Sequence, residues 1–341
     1  MKPHFTLSKQ KLTSQLKILT DLNLKVSYSY KTNRQIGDIL QDNPNVDLSV
    51  HASGELEMIQ DKSKISFFTQ AETYEELIQI INQEVKSFVI DNIIDLENLL
   101  QAAKESNQKI NISIRMKFSE HRIGTGKYFV YGLPSTKVNK LIQELKNNPS
   151  VNDLGIHIHR KSQNTSEWEI VEELKDSIGP ETLKIIKSLN LGGGLPVEYK
   201  SYTNSTLPYI LKKISKAKEF LDSHNIQTII EPGRFLAAPP ISLHTNIIQI
   251  QENTLILNTT IYNCALDTIL TETKMLVEQE TKEGDYYLLK GNSPTRDDIF
   301  RYKVKLNNPK IDDEITFINA GAYNYTTDFF GYKKLETKII K

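Results

Sequence analysis

Between residues 26 and 233, eight short runs of β-branched and aromatic residues alternate with longer stretches of helical periodicity. The runs are VSYSY (26–30), VDLSVHA (46–52), ISFFTQ (65–70), SFVIDN (87–92), INISIRM (110–116), LGIHIH (154–159), LNLGGG (189–194) and QTIIEPG (227–233). Between them lie segments such as TYEELIQIINQE (73–84), DLENLLQAAKES (95–106) and STKVNKLIQELKNN (135–148), each opening near a Thr, Asp or Ser suited to an N-cap. Apolar residues three and four apart give each segment one face to bury. Strand–helix alternation calls for parallel βαβ units, since parallel neighbours need a crossover connection, and eight such units close into a (β/α)8 barrel. An open doubly wound sheet has nearly the same linear pattern and is the alternative.

After about residue 240 the helical segments give way to short alternating runs: TNIIQIQ, TLILNTTIY, DYYLLKG, KVKL and EITFINAG. These read as an all-β domain. The opening PHFTL (3–7) is another β-type run, which the all-β domain can take as a strand. The chain is therefore expected to hold an α/β barrel over residues 24–240, with residues 1–23 and 241–341 forming the β domain.

Charge excludes some functions. Lys plus Arg and Asp plus Glu both total 42, so no net field draws the chain to nucleic acid or to an anionic membrane. Apolar runs are far short of a membrane span, and the N-terminal segment lacks the apolar core of a signal peptide. A single cysteine, Cys264, cannot form an intrachain disulfide and fits a reducing, cytoplasmic setting.

Chemistry in a barrel collects where strands end at the C-terminal mouth. Lys31 stands after the first run, Arg115 in the fifth, and His157 and His159 in the sixth. Gly192, Gly193 and Gly194 close the seventh, and Glu231, Gly233 and Arg234 fall at the end of the eighth. His157 and His159 alternate around Ile158 and so face one side, as in a His-x-His metal pair. A metal centre needs a third ligand that no strand end supplies, and none is expected. Together the amine, glycine loop, arginine and carboxylate match what pyridoxal phosphate requires. Its aldehyde takes a lysine, its phosphate takes backbone donors and a cation, and its pyridine nitrogen takes an acid.

At these residues the sequence resembles the alanine-racemase-like, barrel-type pyridoxal-phosphate decarboxylases of ornithine, diaminopimelate and arginine. The resemblance runs from PHFTL to GAYNYTTDFFGY (321–332). YSYKTN (28–33) is similar to the family's cofactor-lysine segment, which implies Lys31, and ASGEL (52–56) is similar to the Ser/Gly–Glu signature that follows it. GIHIHRKSQ (155–163) implies that His159 stacks on the ring and that Ser162 reaches the phosphate. LNLGGG implies a phosphate cradle, EPGR implies Glu231 on the pyridine nitrogen with Arg234 near the phosphate, and GAY places Tyr323 on a phosphate oxygen. Arg115 resembles the family's barrel arginine near the cofactor. The family further implies amino-acid or polyamine metabolism and a homodimer whose β domains complete each other's sites. Racemases of this fold carry an arginine where Glu231 stands, so Glu231 favours decarboxylation.

The departures lie on the substrate side. The family's Gly-x-x-Cys-Asp/Glu-x-x-Asp loop reads GNSPTRDD (291–298), which puts Pro294 at the cysteine and Thr295 at the acid and keeps Asp298. Two further acid positions hold Ser49 and Thr259. A buried substrate ammonium without a carboxylate costs several kcal/mol, so ordinary ornithine or lysine is a poor fit. Thr295, Arg296, Asp297 and Asp298 are the candidates for reading a different distal group from across a dimer interface. The resemblance thus implies a decarboxylase with altered distal recognition. The rivals are a cofactor-binding regulatory relative, a racemase or other lyase on the same fold, and, more remotely, a metal hydrolase using His157 and His159.

Overall fold

The computed structural model describes residues 1–117, 131–324, 326–328 and 331–341. They form two compact units, one of residues 19–195 and 206–233, the other of residues 1–18, 196–205 and 234–341. Strand β1 (His4–Ser8) belongs to the second unit.

The first unit is built on β2 (Lys25–Ser29), β3 (Val46–Val50), β4 (Ile65–Phe68), β5 (Ser87–Ile90), β6 (Ile110–Lys117), β7 (Leu133–Pro134), β8 (Val151–His157), β9 (Ser188–Asn190) and β10 (Gln227–Ile230). All pair in parallel, in the order β5-β4-β3-β2-β10-β9-β8-β6, and pairing of β5 with β6 closes the ring. Short β7 adds to the β6 edge. Closure rejects the open doubly wound sheet: eight strands make a (β/α)8 barrel. The strands are rich in apolar residues because a barrel strand is covered on both faces. Tyr28, Leu48, Phe67, Phe88, Ile112 and Ile156 are all buried inside this unit.

The intervening helices form where their periodicity places them. Tyr74–Asn82 opens with a capping box between Thr73 and Glu76 and buries Leu77, Ile80 and Ile81. Ile93–Glu105 is capped by Asn92, whose side chain accepts from the Asp95 N–H. Each cap is worth about 1 kcal/mol.

The second unit joins β1 to β11 (Ile241–Gln251), β12 (Thr254–Leu257), β13 (Leu276–Val277), β14 (Asp285–Lys290), β15 (Ile299–Leu306), β16 (Glu314–Ile318) and β17 (Glu336–Ile340). The order is β13-β16-β11-β12-β14-β15, with β1 antiparallel to β11 and parallel to β17. The run read as one strand, TLILNTTIY, is divided: β12 stops at Leu257, and Thr260 accepts from the Tyr262 N–H to start a one-turn helix, Ile261–Cys264. A second short helix, Leu266–Thr271, follows. A local side-chain cap here outcompetes β propensity. Among the described residues no helix is long and apolar enough to cross a membrane.

Candidate active site

Lys31 sits in a one-turn 3-10 helix, Tyr30–Thr32, directly after β2. Its neighbours anchor it. Buried Tyr30 donates its hydroxyl to Asp38 at 2.7 Å, and Gly37 leaves room for that ring, since a Cβ there would overlap it. Buried Thr32 fills the space beside Gly233, whose own Cβ would overlap the Thr32 hydroxyl. The Ser29 N–H donates to the Pro232 carbonyl at 3.3 Å, which ties this turn to the end of β10. Lys31 alone of the three projects to solvent at the mouth. Crowding by the barrel walls lowers its pKa by desolvation, against the opposing pull of Glu231 and Glu55. The free amine, which is the nucleophilic form, is thereby favoured.

Glu231 follows β10 and is buried. His157 Nε2 donates to its Oε2 at 2.9 Å, and its Oε1 is buried with no partner. Burial alone would raise the pKa of this carboxyl; the His157 bond, with His51 and Ser49 adding, brings it down to about 2. Burial also lowers the pKa of His157, and its Nδ1 has no partner. The pair is therefore a carboxylate and a neutral imidazole carrying its proton on Nε2.

His159 lies two residues beyond the end of β8, its ring parallel to His157 with centroids 6.4 Å apart and 9° between planes. The Gly193 N–H points at its Nδ1 at 3.4 Å. Desolvation and Arg115 hold its pKa down to about 3. Arg115 pairs with His157 in the β6–β8 register and lies over the Tyr131 ring at 5.1 Å.

The glycine loop has its own packing logic. Gly192 and Gly194 have φ of +70° and +99°, and a Cβ on Gly193 would come within 2.6 Å of the Glu231 carbonyl. These residues are glycine because backbone just beyond the ends of β8 and β10 crowds them. The Gly192 N–H is already given to Asn190 Oδ1 at 2.8 Å. Ser162, beside Lys161, is exposed.

Sequence reasoning passed over His51 and Phe68. His51 follows β3, and its ring stacks on Phe68 at 4.5 Å and 14°. Phe68 in turn meets His157 edge-on at 5.1 Å and 86°. With Lys31, Arg115, Tyr131 and His159 they line a cavity of about 340 Å³. The only advance signal was a polar residue directly after a barrel strand.

In the second unit, Arg234 is committed to buried Asp267: Nη1 and Nη2 donate to its two oxygens at 2.6 and 2.9 Å. Nη1 also donates to the Tyr199 hydroxyl at 3.1 Å, and the Tyr323 ring lies 5.3 Å from the guanidinium. Only buried Nε has no partner. Tyr323 has a left-handed φ of 56°.

Asp298 requires a correction. It is wholly buried, its Oδ1 accepts from the Ile261 N–H at 2.9 Å, and its Oδ2 accepts from the N–H and hydroxyl of Ser293 at 2.9 and 2.6 Å. Both oxygens are used within its own unit, so Asp298 holds the 291–298 loop rather than reading substrate. Thr295 shares a hydrogen bond with the Ser293 hydroxyl at 2.6 Å, while Arg296 and Asp297 are exposed. Thr259 is buried against Asn263 and Cys264. Among the described residues no group of three His, Cys, Asp or Glu side chains could hold a metal.

These residues fit pyridoxal phosphate. The unpaired Glu231 Oε1 awaits a buried donor such as a protonated pyridine nitrogen, and Lys31, close enough to feel the Glu231 charge, presents an amine to the barrel cavity. Residues 8–238 match the family model described as pyridoxal-dependent decarboxylase, pyridoxal binding domain. The chain belongs to that family. Its members' cofactor is pyridoxal phosphate, and the chain is a pyridoxal-phosphate-dependent carboxy-lyase. It is 25% identical to diaminopimelate decarboxylase of Methanocaldococcus jannaschii, over 87% of this chain and 74% of that one. To the probable chloroplastic diaminopimelate decarboxylase of Oryza sativa it is 26% identical, over 57% of this chain but only 41% of that one. The fold superposes on lysine decarboxylase of Selenomonas ruminantium with a TM-score of 0.82, 19% identity, and coverage of 99% and 92%.

Proposed function

We propose that this decarboxylase acts on an amino acid, or amino-acid derivative, whose distal group is not a bare ammonium read by carboxylates. The carrying observation is the state of Ser49, Thr259 and Asp298, three of the four positions where acids would be placed. Ser49 shares its hydroxyl with Ser27 at 2.8 Å, Thr259 is buried against neutral neighbours, and Asp298 spends both oxygens on its own loop. Diamino acids that need a buried counter-charge therefore have none at these positions.

The role of each barrel residue follows from its chemistry. Lys31 holds the cofactor aldehyde. Glu231, a carboxylate well below neutral pH, keeps the pyridine nitrogen protonated. His157 keeps Glu231 ionised and oriented. His159 packs against the ring, and Arg115 supplies a fixed positive charge near it. Gly192, Gly193, Gly194, Ser162 and Gly233 are the barrel's phosphate side, and in the other unit Asp267 fixes the direction of Arg234. Bound pyridoxal phosphate supplies the electron sink that lets a carboxylate leave as carbon dioxide. Thr295, Arg296 and Asp297 of a second copy meet the distal group in a homodimer.

The test is to add pyridoxal phosphate, reduce with borohydride and map the modified peptide. A phosphopyridoxyl group on Lys31, followed by carbon dioxide release from amino acids lacking a free distal ammonium, is expected. Faster release from lysine or ornithine than from all others would defeat the altered-recognition reading.

A further inference from the structure

Exchanging a carboxylate for hydrogen requires a proton for the carbon that loses carbon dioxide, and Pro294 and buried Asp298 cannot deliver one. Among the described residues the barrel cavity is lined by six titratable side chains: Lys31, His51, Asp91, Arg115, Tyr131 and His159. Arg115 stays protonated at any ordinary pH. His159 has its Nδ1 facing the Gly193 N–H. Asp91 accepts from the Asn92 amide at 3.0 Å. Tyr131 lies under Arg115.

His51 differs from these. Ser29 pairs with Ser49 across β2 and β3; Lys31 follows in the one-turn helix after β2, His51 comes directly after β3, and both line the same cavity. The His51 N–H donates to Glu55 Oε2 at 2.8 Å, which holds the strand end, and stacking on Phe68 holds the ring. Its Nδ1 is buried without a partner, and no ring nitrogen bonds to another described residue.

We propose that His51 is the acid–base group of the barrel mouth, taking a proton from the substrate α-ammonium and returning it to the carbon that loses carbon dioxide. This rests on the decarboxylase reading above. In the first transfer a ring nitrogen of His51 gains the proton and the α-amine becomes neutral. In the second, that N–H bond breaks and a C–H bond takes up the electron pair of the broken carbon–carboxylate bond, leaving neutral imidazole. The sum converts a zwitterionic amino acid into a neutral amine and carbon dioxide, so atoms and charge balance. The surroundings suit both steps: burial, Lys31, His157 and Arg115 disfavour the imidazolium, against the opposing pull of Glu231. The ring therefore starts neutral and becomes a strong acid once protonated.

The test uses the full chain with His51→Gln and His51→Phe, the second keeping the stack on Phe68. First, ring-nitrogen NMR of 15N-histidine-labelled protein is compared before and after borohydride trapping of pyridoxal phosphate. The His51 signal, assigned by its loss in His51→Gln, should move while that of exposed His224 stays. A stationary His51 signal overturns the proposal. Second, using the L-amino acid with the highest carbon dioxide release, both variants should lose about 10²-fold or more in kcat with KM within a few-fold. In deuterium oxide the wild type should label one face of the product carbon and the variants both faces. Unchanged kcat, or a single labelled face in both variants, overturns the proposal. Failure to trap cofactor on Lys31 of the wild type refutes the decarboxylase reading itself, a distinct result.

Discussion

His157 donates to one oxygen of Glu231 at 2.9 Å and leaves the other buried without a partner. The first bond keeps a buried carboxyl ionised; the second oxygen is the one available to a ligand. Replacing His157 by Phe fills the space without the donor. The Glu231 pKa should then rise, and stability should fall by about 2–3 kcal/mol, the usual cost of leaving a buried charged group short of a hydrogen bond. Urea denaturation measures this. Adding Glu231→Gln should recover part of the loss, because a neutral amide is cheaper to leave underbonded; no recovery would mean that ring packing, not the charge, matters.

Acid should unfold the barrel in two stages. His51 and His159 are held neutral, with pKa values lowered from 6.5 to about 4 and about 3. Between those values and 6.5 the unfolded chain binds protons that the folded one refuses, so this stability is complete above 6.5 and drains as pH falls toward 4 and then 3. Glu231, lowered from 4.5 to about 2, adds a loss that begins only below about 4.5. The melting temperature should fall steadily from pH 7 to 4.5, and the fall should be shallower in the His51→Phe, His159→Phe double variant. Equal slopes would show that these rings titrate normally.

Asp298→Ala removes an acceptor serving the Ile261 N–H and both donors of Ser293. The expected cost is about 3 kcal/mol, seen as a lower melting temperature, with trapping of pyridoxal phosphate on Lys31 preserved. Full stability together with a raised KM would return Asp298 to the substrate.

The barrel was legible because periodicity of apolar residues is a local property, and eight repeats leave few ways to bury them. Lys31, His159 and Glu231 were legible for a related reason: strand ends in a barrel share one rim, so residues far apart in sequence can be assigned to a common mouth. The pairing of His157 with Glu231 was not, because it joins residues 74 positions apart and depends on the side-chain directions of β8 and β10. His51 was missed because nothing local distinguishes a functional histidine from a solvated strand end. The loop aspartate misled for the opposite reason: its position in GNSPTRDD looked exposed to a partner, whereas Ile261 and Ser293 fold around it.

Spacing and residue type alone settle the alternation, the barrel and the presence of an amine, a carboxylate and a glycine loop at its mouth. Ring closure decides the rest. It buries Glu231 against one donor, leaves one oxygen open and brings His51 and Lys31 to one cavity, while in the other unit Ile261 and Ser293 fold around Asp298. Those outcomes rest on desolvation and on hydrogen-bond partners drawn from distant strands, and neither exists until the chain is folded.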